Sequence, residues 1–231
     1  AWDQTSSTAS TNSTRSTADT TTYGASTAFS VGTAQATLAV SATNDAPVLT
    51  PSTPTLTGIS DGAVNNAGQT VASIVGTSIS DVDTGAVEGI AVSGLNSGNG
   101  TWQYSMDSGT SWQDIGSVSD NSALLLRAND LVRFVPDGIH GTSASLTYRA
   151  WDQSGATVGL QGTKVDTSSN GATTPFSTAS DAAGITVTAI NDAPTLTTSS
   201  GATAFVEGDN VASTPVVVDS GLTLSDLDSP T

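Results

Sequence analysis

Asp81-Val82-Asp83 returns as Asp226-Leu227-Asp228, and Asn44-Asp45 returns as Asn191-Asp192. A further acid, Asp152 in RAWDQSG, has an echo at Asp3 in the opening AWDQ. Asp-x-Asp offers two carboxylates from one short loop, and Asn-Asp offers a carbonyl oxygen beside another carboxylate. These are ligands for a hard cation, and Ca²⁺ takes about six to eight oxygens at roughly 2.3–2.6 Å. Taken singly, each motif reads more simply as turn chemistry, in which a short acidic side chain bonds its own backbone. Their shared order along the chain points to the cation.

The order is that of a repeat. AWDQ recurs from Ala1 to Ala150, a shift of 149 residues (150 − 1). LAVSATNDAPVLT recurs as ITVTAINDAPTLT, with Asn44 to Asn191 a shift of 147 (191 − 44). SISDVD recurs as TLSDLD, with Asp81 to Asp226 a shift of 145 (226 − 81). Three landmarks in one order at nearly equal spacing indicate tandem units. The expected division is a whole repeat at 47–193, between the end of a preceding one at 1–46 and the start of the next at 194–231.

The elements that must position these acids are strands. Runs rich in Val, Ile, Thr and aromatics alternate between Gly, Asn, Asp and Ser. The pattern predicts strands at Thr55–Ile59, Val71–Val75, Gly89–Leu95, Thr101–Met106, Ser111–Ile115, Ala123–Leu126, Leu131–Val135, Ser145–Trp151 and Ile185–Ile190, with no helix. Asp107-Ser108-Gly109 reads as a hairpin turn. Such a string of short strands fits an antiparallel β-sandwich. On it, the Asp81 loop, the end of the Ala150–Asp152 strand and the Asn44–Asp45 linker fall at one pole. Asn44, Asp45, Asp81, Asp83 and Asp152 are expected to converge there. Four carboxylates so gathered repel unless a cation sits among them.

Composition agrees. Lys and Arg number 5 against 21 Asp and Glu, a net charge of −16, which argues against nucleic acid and anionic membrane surfaces as partners. Glu occurs only at Glu88 and Glu207, so the acids are those that suit tight loops. There is no Cys, so neither disulfides nor thiolate metal sites are available. No apolar run approaches membrane-spanning length, and no signal segment is evident.

These motifs together resemble the tandem cadherin-like repeats of large bacterial type-I-secreted adhesins of the RTX kind. Asp81-Val82-Asp83 matches the D-x-D after the second cadherin strand. Ala150-Trp151-Asp152-Gln153-Ser154-Gly155 matches the A-x-D-x-G at the end of the sixth. Asn44-Asp45-Ala46-Pro47 and Asn191-Asp192-Ala193-Pro194 match the linker in shortened form. Ala42 and Ala189 stand where the linker's leading Asp would be, and the DRE-type motif is not evident, so fewer ions per junction are expected than in animal cadherins. The resemblance implies tandem Ig-like, cadherin-like antiparallel sandwiches, one complete and two partial, with Ca²⁺ between successive units. It carries the second junction onto Asn191, Asp192, Asp226 and Asp228, brings Asp61 to that junction, and assigns Glu207 to a third. It also implies an extracellular, cell-surface location, export by type I secretion, and a spacer role in cell adhesion and biofilm formation. The partners would be neighbouring repeats of the same chain, with surface glycans or proteins reached through other regions.

A different class of function rests on the aromatics. Trp102, Tyr104 and Met106 share a strand face by period 2, with Trp112 on the other hairpin arm. The sharper reading is a carbohydrate- or protein-binding platform at Trp102 and Trp112; the plainer one is core. Trp151, pointing away from Leu146, Tyr148 and Ala150, either lies beneath the Ser154–Gly184 insert or stacks on Arg149. Glu88 reads as a solvated strand-end charge. The chain does not read as an enzyme: His140 is the only histidine, and no nucleophile-elbow pattern or phosphate loop accompanies it.

Overall fold

A computed structural model describes residues 1–5 and 13–228. The chain falls into two compact units, Ala1–Ala42 and Thr43–Thr231. In chain order the larger unit carries β1 (Val48–Leu49), β2 (Ile59–Ser60), β3 (Gln69–Thr70), helix α1 (Val71–Val75), β4 (Ile79–Ser80), β5 (Gly89–Asn96), β6 (Gly100–Ser105) and β7 (Gln113–Asp114). It continues with β8 (Ala123–Arg127), β9 (Leu131–Pro136), β10 (Thr142–Trp151), a 3₁₀ turn (Gly155–Thr157), β11 (Lys164–Val165), β12 (Phe176–Thr188), β13 (Thr195–Thr197) and β14 (Thr223–Ser225).

The architecture is all-β and mostly antiparallel. A six-stranded sheet runs β11-β8-β5-β10-β12-β2, and a four-stranded sheet runs β3-β9-β6-β7. Two further two-stranded ribbons pair β1 with β4 and β13 with β14. The period-2 rule explains how the large sheets meet. Leu146, Tyr148 and Ala150 of β10 face inward with Ile90, Val92, Leu124 and Leu126, and pack with Trp102, Val132 and Phe134 of the smaller sheet. Trp102 and Phe134 meet edge-on, with ring centroids 5.2 Å apart. The result is sandwich-like, with one main core between the sheets.

The segment Val71–Val75 departs from the expected strand: it is a single helical turn. Val71, Ile74 and Val75 are its buried residues, an i, i+3, i+4 spacing that suits a helix face. Thr70 caps it, its side chain accepting from Ser73 N at 3.1 Å, and Gly76 closes it at φ +54°. Local capping outweighs the strand preference of two Val and one Ile. Other strands shift in length. Ser111–Ile115 contracts to β7, whereas the strand expected at Ile185–Ile190 begins earlier, at Phe176, and ends at Thr188.

The insert after Ser154 builds a second apolar layer. Its β11 pairs with β8, Lys164 opposite Leu124 and Val165 opposite Ala123. Trp151, Ala91, Ala123, Leu125 and Phe176 form a separate buried cluster on the sheet's outer face, with Leu160 and Val165 packed against it. Trp151 Nε1 donates to Thr157 Oγ1 at 2.7 Å. Trp151 therefore lies beneath the insert, not on Arg149, whose Nη1 donates to the Ser177 and Thr178 carbonyls.

The smaller unit pairs Trp2 with Phe29, and Asp3 N donates to the Ala28 carbonyl at 3.1 Å. Its Leu38 and Val40 are 89 % and 86 % exposed, whereas Ile185 and Val187, which stand 147 residues later, are 6 % and 3 % exposed.

The β6–β7 turn and the β9–β10 turn supply a pH test. Asp107 accepts from Ser111 Oγ at 2.6 Å, Ser111 N at 2.9 Å and Ser105 Oγ at 2.7 Å, which hold its carboxyl down at about 2. The backbone N–H of His140, its ring and the N–H of Ile139 hold Asp137 at about 2 as well. A depressed carboxyl stabilises the fold above its ordinary pKa, and that contribution disappears as pH falls through the depressed value. Urea midpoints are expected to fall between about pH 4 and 2. Asp107→Ala should flatten part of that slope; an unchanged slope would contradict the assignment.

Candidate functional site

Three chain segments meet at one end of the larger unit. The β1–β4 ribbon pairs Val48 with Ser80, so Pro47 arrives beside Asp81. β10 runs antiparallel to β5 and ends with Trp151 opposite Gly89, delivering Asp152 to the same end. Asp83 Oδ2 accepts from Asp45 N at 2.8 Å, and Asp81 Oδ1 accepts from Asp83 N at 2.9 Å. Asp152, 6 % exposed, accepts from Ser154 N at 2.8 Å and from Asn44 Nδ2 at 2.9 Å. Asp81, Asp83 and Asp152 line one cavity of about 180 Å³, together with Pro47, Glu88 and Trp151. Asp81 Oδ2 and Ser154 Oγ are buried with no hydrogen-bond partner. A buried carboxylate oxygen without a donor is costly and calls for a ligand, an ion or water. Asn44, Asp45, Asp81, Asp83 and Asp152 are thus brought together.

A second group forms where Ile190–Asp192 meets the β13–β14 ribbon. Asp228 Oδ2 accepts from Asp192 N at 2.6 Å, and Asp226 Oδ1 from Asp228 N at 3.2 Å. These bonds repeat those of Asp45, Asp81 and Asp83, and the ribbon repeats its register, Thr195 opposite Ser225 and Leu196 opposite Leu224. Asn191 Nδ2 donates to the Asp192 carbonyl as Asn44 Nδ2 donates to that of Asp45. Asp228 Oδ1 is again buried and unpartnered. Asp61 joins from the far end of β2: it is 3 % exposed, and its Oδ2 accepts from Ile190 N at 2.9 Å. Desolvation, then Asp228, Asp61 and Asp226, push the Asp192 carboxyl above its ordinary range. The raised value marks a place where negative charge is unwelcome without a counter-charge. Its sign is opposite to that of Asp107: its stabilising contribution is present below the ordinary pKa and lost as pH rises through the raised one. Glu207 is exposed.

The carboxylate oxygens at both ends are turned largely toward backbone N–H groups. Among the described residues, no three or more His, Cys, Asp or Glu side chains form a ready-made metal-holding group. In chemistry the donor sets fit a hard cation, being oxygen-only with an orphaned buried carboxylate oxygen at each end.

The turn that receives the first linker lay outside the sequence expectations. Ala46 N donates to the Ala172 carbonyl at 2.8 Å. Gly171 and Ala172 both adopt positive φ, +73° and +51°, and Gly24 and Ala25 do the same at +79° and +51°. Thr174 Oγ1 donates to the Gly171 carbonyl at 2.8 Å, and Thr27 Oγ1 to that of Gly24 at 2.7 Å. The signal was present: GASTAFS at Gly24–Ser30 recurs as GATTPFS at Gly171–Ser177. Asp3 in turn accepts from Thr5 N at 2.9 Å, as Asp152 does from Ser154.

The aromatic stripe divides. Trp102 is 1 % exposed, its Nε1 donating to the Asn96 carbonyl at 3.2 Å, and Tyr104 is buried with it. Met106 lies past the end of β6 and is exposed. Trp112 is half-buried beneath the Arg133 guanidinium, 4.1 Å from its ring centroid. A flat pair of exposed indoles at Trp102 and Trp112 is not formed. His140 is exposed, and its backbone N–H and ring both meet the Asp137 carboxylate. Among the described residues no helix is long and apolar enough to cross a membrane.

Comparison with family models, curated proteins and solved structures found no match to this chain.

Proposed function

We propose that the chain is a section of a long bacterial surface adhesin of the RTX kind, built from tandem Ig-like, cadherin-like sandwiches and stiffened by Ca²⁺ where they join. One observation carries the reading: at each of two Asp-x-Asp loops, beside an Asn-Asp linker, one buried carboxylate oxygen has no donor. Asn44, Asp45, Asp81, Asp83 and Asp152 would hold the first ion. Asn191, Asp192, Asp226, Asp228 and Asp61 would hold the second. The ion would supply positive charge to crowded carboxylates and tie a linker to the loops on either side. The chain's own residues prepare this, because Asp83 and Asp228 already fasten their linkers through backbone N–H groups.

Each unit of such a rod contacts mainly its neighbours, so length grows by adding copies. Extracellular calcium modules bind at about 10⁻⁴–10⁻³ M, so the rod would stiffen outside the cell and remain pliable in a low-calcium cytosol before type I export. The role is support of cell adhesion and biofilm formation. The ligands of the whole adhesin would lie on other regions, and no catalytic role is assigned. The alternative of an aromatic binding platform at Trp102 and Trp112 gains no support from a Trp102 buried in the core.

The test joins calorimetry to small-angle scattering. Titration of the EDTA-treated protein should show saturable Ca²⁺ binding at about 10⁻⁴–10⁻³ M, with a longer and narrower distribution of molecular dimensions in Ca²⁺ than in EDTA. Absence of binding heat, with superimposable scattering in the two buffers, would remove the reading.

A further inference from the structure

The linker Asn44–Pro47 is seated on the larger unit by three acceptors. Ala46 N donates to the Ala172 carbonyl at 2.8 Å, and Asn44 Nδ2 donates to Asp152 Oδ2 at 2.9 Å and to the Thr174 carbonyl at 3.4 Å. Pro47 and Leu49 are buried there, and Thr178 and Ala179 share a cavity with them. Asn191–Pro194 repeats the same four residues, and no turn of this kind meets it among the described residues. Asn191, Ala193 and Pro194 are exposed. The seat, not the tetrapeptide, decides the burial.

The smaller unit carries the same seat. Gly24 N donates to the Phe29 carbonyl at 2.8 Å, Thr27 N to that of Gly24 at 3.0 Å, and Asp3 N to that of Ala28 at 3.1 Å. In the larger unit Gly171 N donates to the Phe176 carbonyl at 2.8 Å, Thr174 N to that of Gly171 at 3.0 Å, and Asp152 N to that of Pro175 at 3.1 Å. The turn therefore takes its shape from its own bonds, whether or not a linker lies on it. The Ala25 carbonyl, counterpart of that of Ala172, accepts from no backbone N–H among the described residues. Ala25 and Asp3 are exposed. Val31 and Gly32 stand 147 residues before Thr178 and Ala179 (178 − 31 and 179 − 32). With Trp2, Tyr23 and Phe29 they line a groove of about 720 Å³. Tyr23 and Val31 are 57 % and 71 % exposed.

We propose that this groove is a docking site for an extended chain segment of the form Asn-Asp-Ala-Pro-x-Leu. The larger unit displays the bonds it would make. The segment's alanine N–H meets the Ala25 carbonyl, its asparagine amide meets the Asp3 carboxylate and the Thr27 carbonyl, and its proline and leucine cover Trp2, Phe29 and Val31. Proline suits the role, since it has no N–H to leave unpaired and its fixed φ lowers the cost of ordering. The turn is formed in advance, which lowers that cost on the other side. The contacts are hydrogen bonds and apolar packing, so docking requires no calcium and is independent of the ion at either carboxylate-lined end.

The test is an NMR titration of the whole chain, in EDTA and again in Ca²⁺. The probe is the blocked octapeptide Thr-Asn-Asp-Ala-Pro-Val-Leu-Thr, the sequence of Thr43–Thr50. It is expected to shift the Trp2 Nε1–H and the Ala25 and Thr27 amides saturably in the millimolar range in both buffers. The amides of Gly171–Thr174, where a linker already lies, should stand still. A peptide N-methylated at its alanine and one carrying Asn44→Ala should each bind about tenfold more weakly. Val31→Asp changes an exposed side chain and leaves the bonds of the turn in place, and it should abolish the response. The absence of any saturable shift would overturn the proposal, as would shifts at Gly171–Thr174 in place of those in the smaller unit. Either modified peptide binding like the parent, or a Val31→Asp protein responding like wild type, would reduce the binding to unspecific contact and overturn it too. A response confined to Ca²⁺ would make the ion, not the groove, the receptor, and would overturn it as well.

Discussion

Addition of about 10 mM Ca²⁺ after EDTA treatment is expected to raise the melting temperature by about 3–10 °C for each occupied site. The magnitude follows from linkage. A ligand that binds only the folded state at about 10–100 times its Kd contributes roughly 1.4–2.7 kcal/mol, and in a unit of this size 1 kcal/mol moves Tm by about 2–4 °C. Asp81→Ala with Asp83→Ala should abolish the increment at the first end and leave that of the second. Asp226→Ala with Asp228→Ala should do the reverse. In EDTA the Asp81/Asp83 pair should cost far less than in Ca²⁺. What it removes there is the Asp83 Oδ2 bond to Asp45 N and the Asp81 Oδ1 bond to Asp83 N, and with them it removes Asp81 Oδ2, the buried oxygen that has no donor. Mg²⁺ at the same concentration should give a smaller rise, since it demands near-octahedral geometry and keeps its waters. An equal rise in wild type and both double variants would place the ion elsewhere, and no rise at all would remove calcium from the account.

The parts of this fold that were legible in the sequence are those whose own residues carry the period. β5, β8, β9 and β10 lie close to the expected runs because alternating large apolar side chains face a continuous core. The first half of β12, FSTASDA, carries no such alternation. It is a strand because β10 is long enough to pair with it, with Tyr148 opposite Asp181 and Trp151 opposite Phe176. α1 escaped notice because three β-branched residues hid a capped turn. The gathering of the acids was legible through recurrence: Asp-x-Asp and Asn-Asp return in one order, and each Asp-x-Asp loop meets its Asn-Asp linker through the same backbone N–H bonds. How they are fastened was not. The Ala46–Ala172 bond joins residues 126 apart (172 − 46), and its acceptor is a backbone carbonyl on a residue at positive φ. Asp181 escaped for the same reason. It is 5 % exposed and accepts from the N–H groups of Ser52 and Thr53, which no local pattern announces. The Tyr148 hydroxyl beside it is pushed up, first by burial and then by that carboxylate.

Trp151→Ala is expected to cost about 3–5 kcal/mol and lower Tm by about 6–20 °C. The residue is fully buried in the cluster on the outer face of the six-stranded sheet. Leu160 and Val165 of the insert lie over it, and neither can collapse far into the vacated space while β11 remains paired with β8. Truncation also strands Thr157 Oγ1, which accepts from the indole N–H and donates to the Ser154 carbonyl. Trp151→Phe keeps much of the volume and loses that hydrogen bond, so about 1–3 kcal/mol is expected. Asp152 follows directly, held by its N–H on the Pro175 carbonyl at 3.1 Å, and its Oδ1 accepts from Ser154 N. Loosening the insert should therefore weaken calcium at the first end while sparing the second, so that Trp151→Ala shows one calcium increment in melting where wild type shows two. A Trp151→Ala protein within about 1 kcal/mol of wild type would mean that the insert is a surface ornament. A stable loss in melting with both calcium increments intact would separate the layer from the ion. The expected coupling ties the insert to the Asp152 end of the larger unit: the strand that delivers Asp152 is clamped on its outer face by the same tryptophan that ends it.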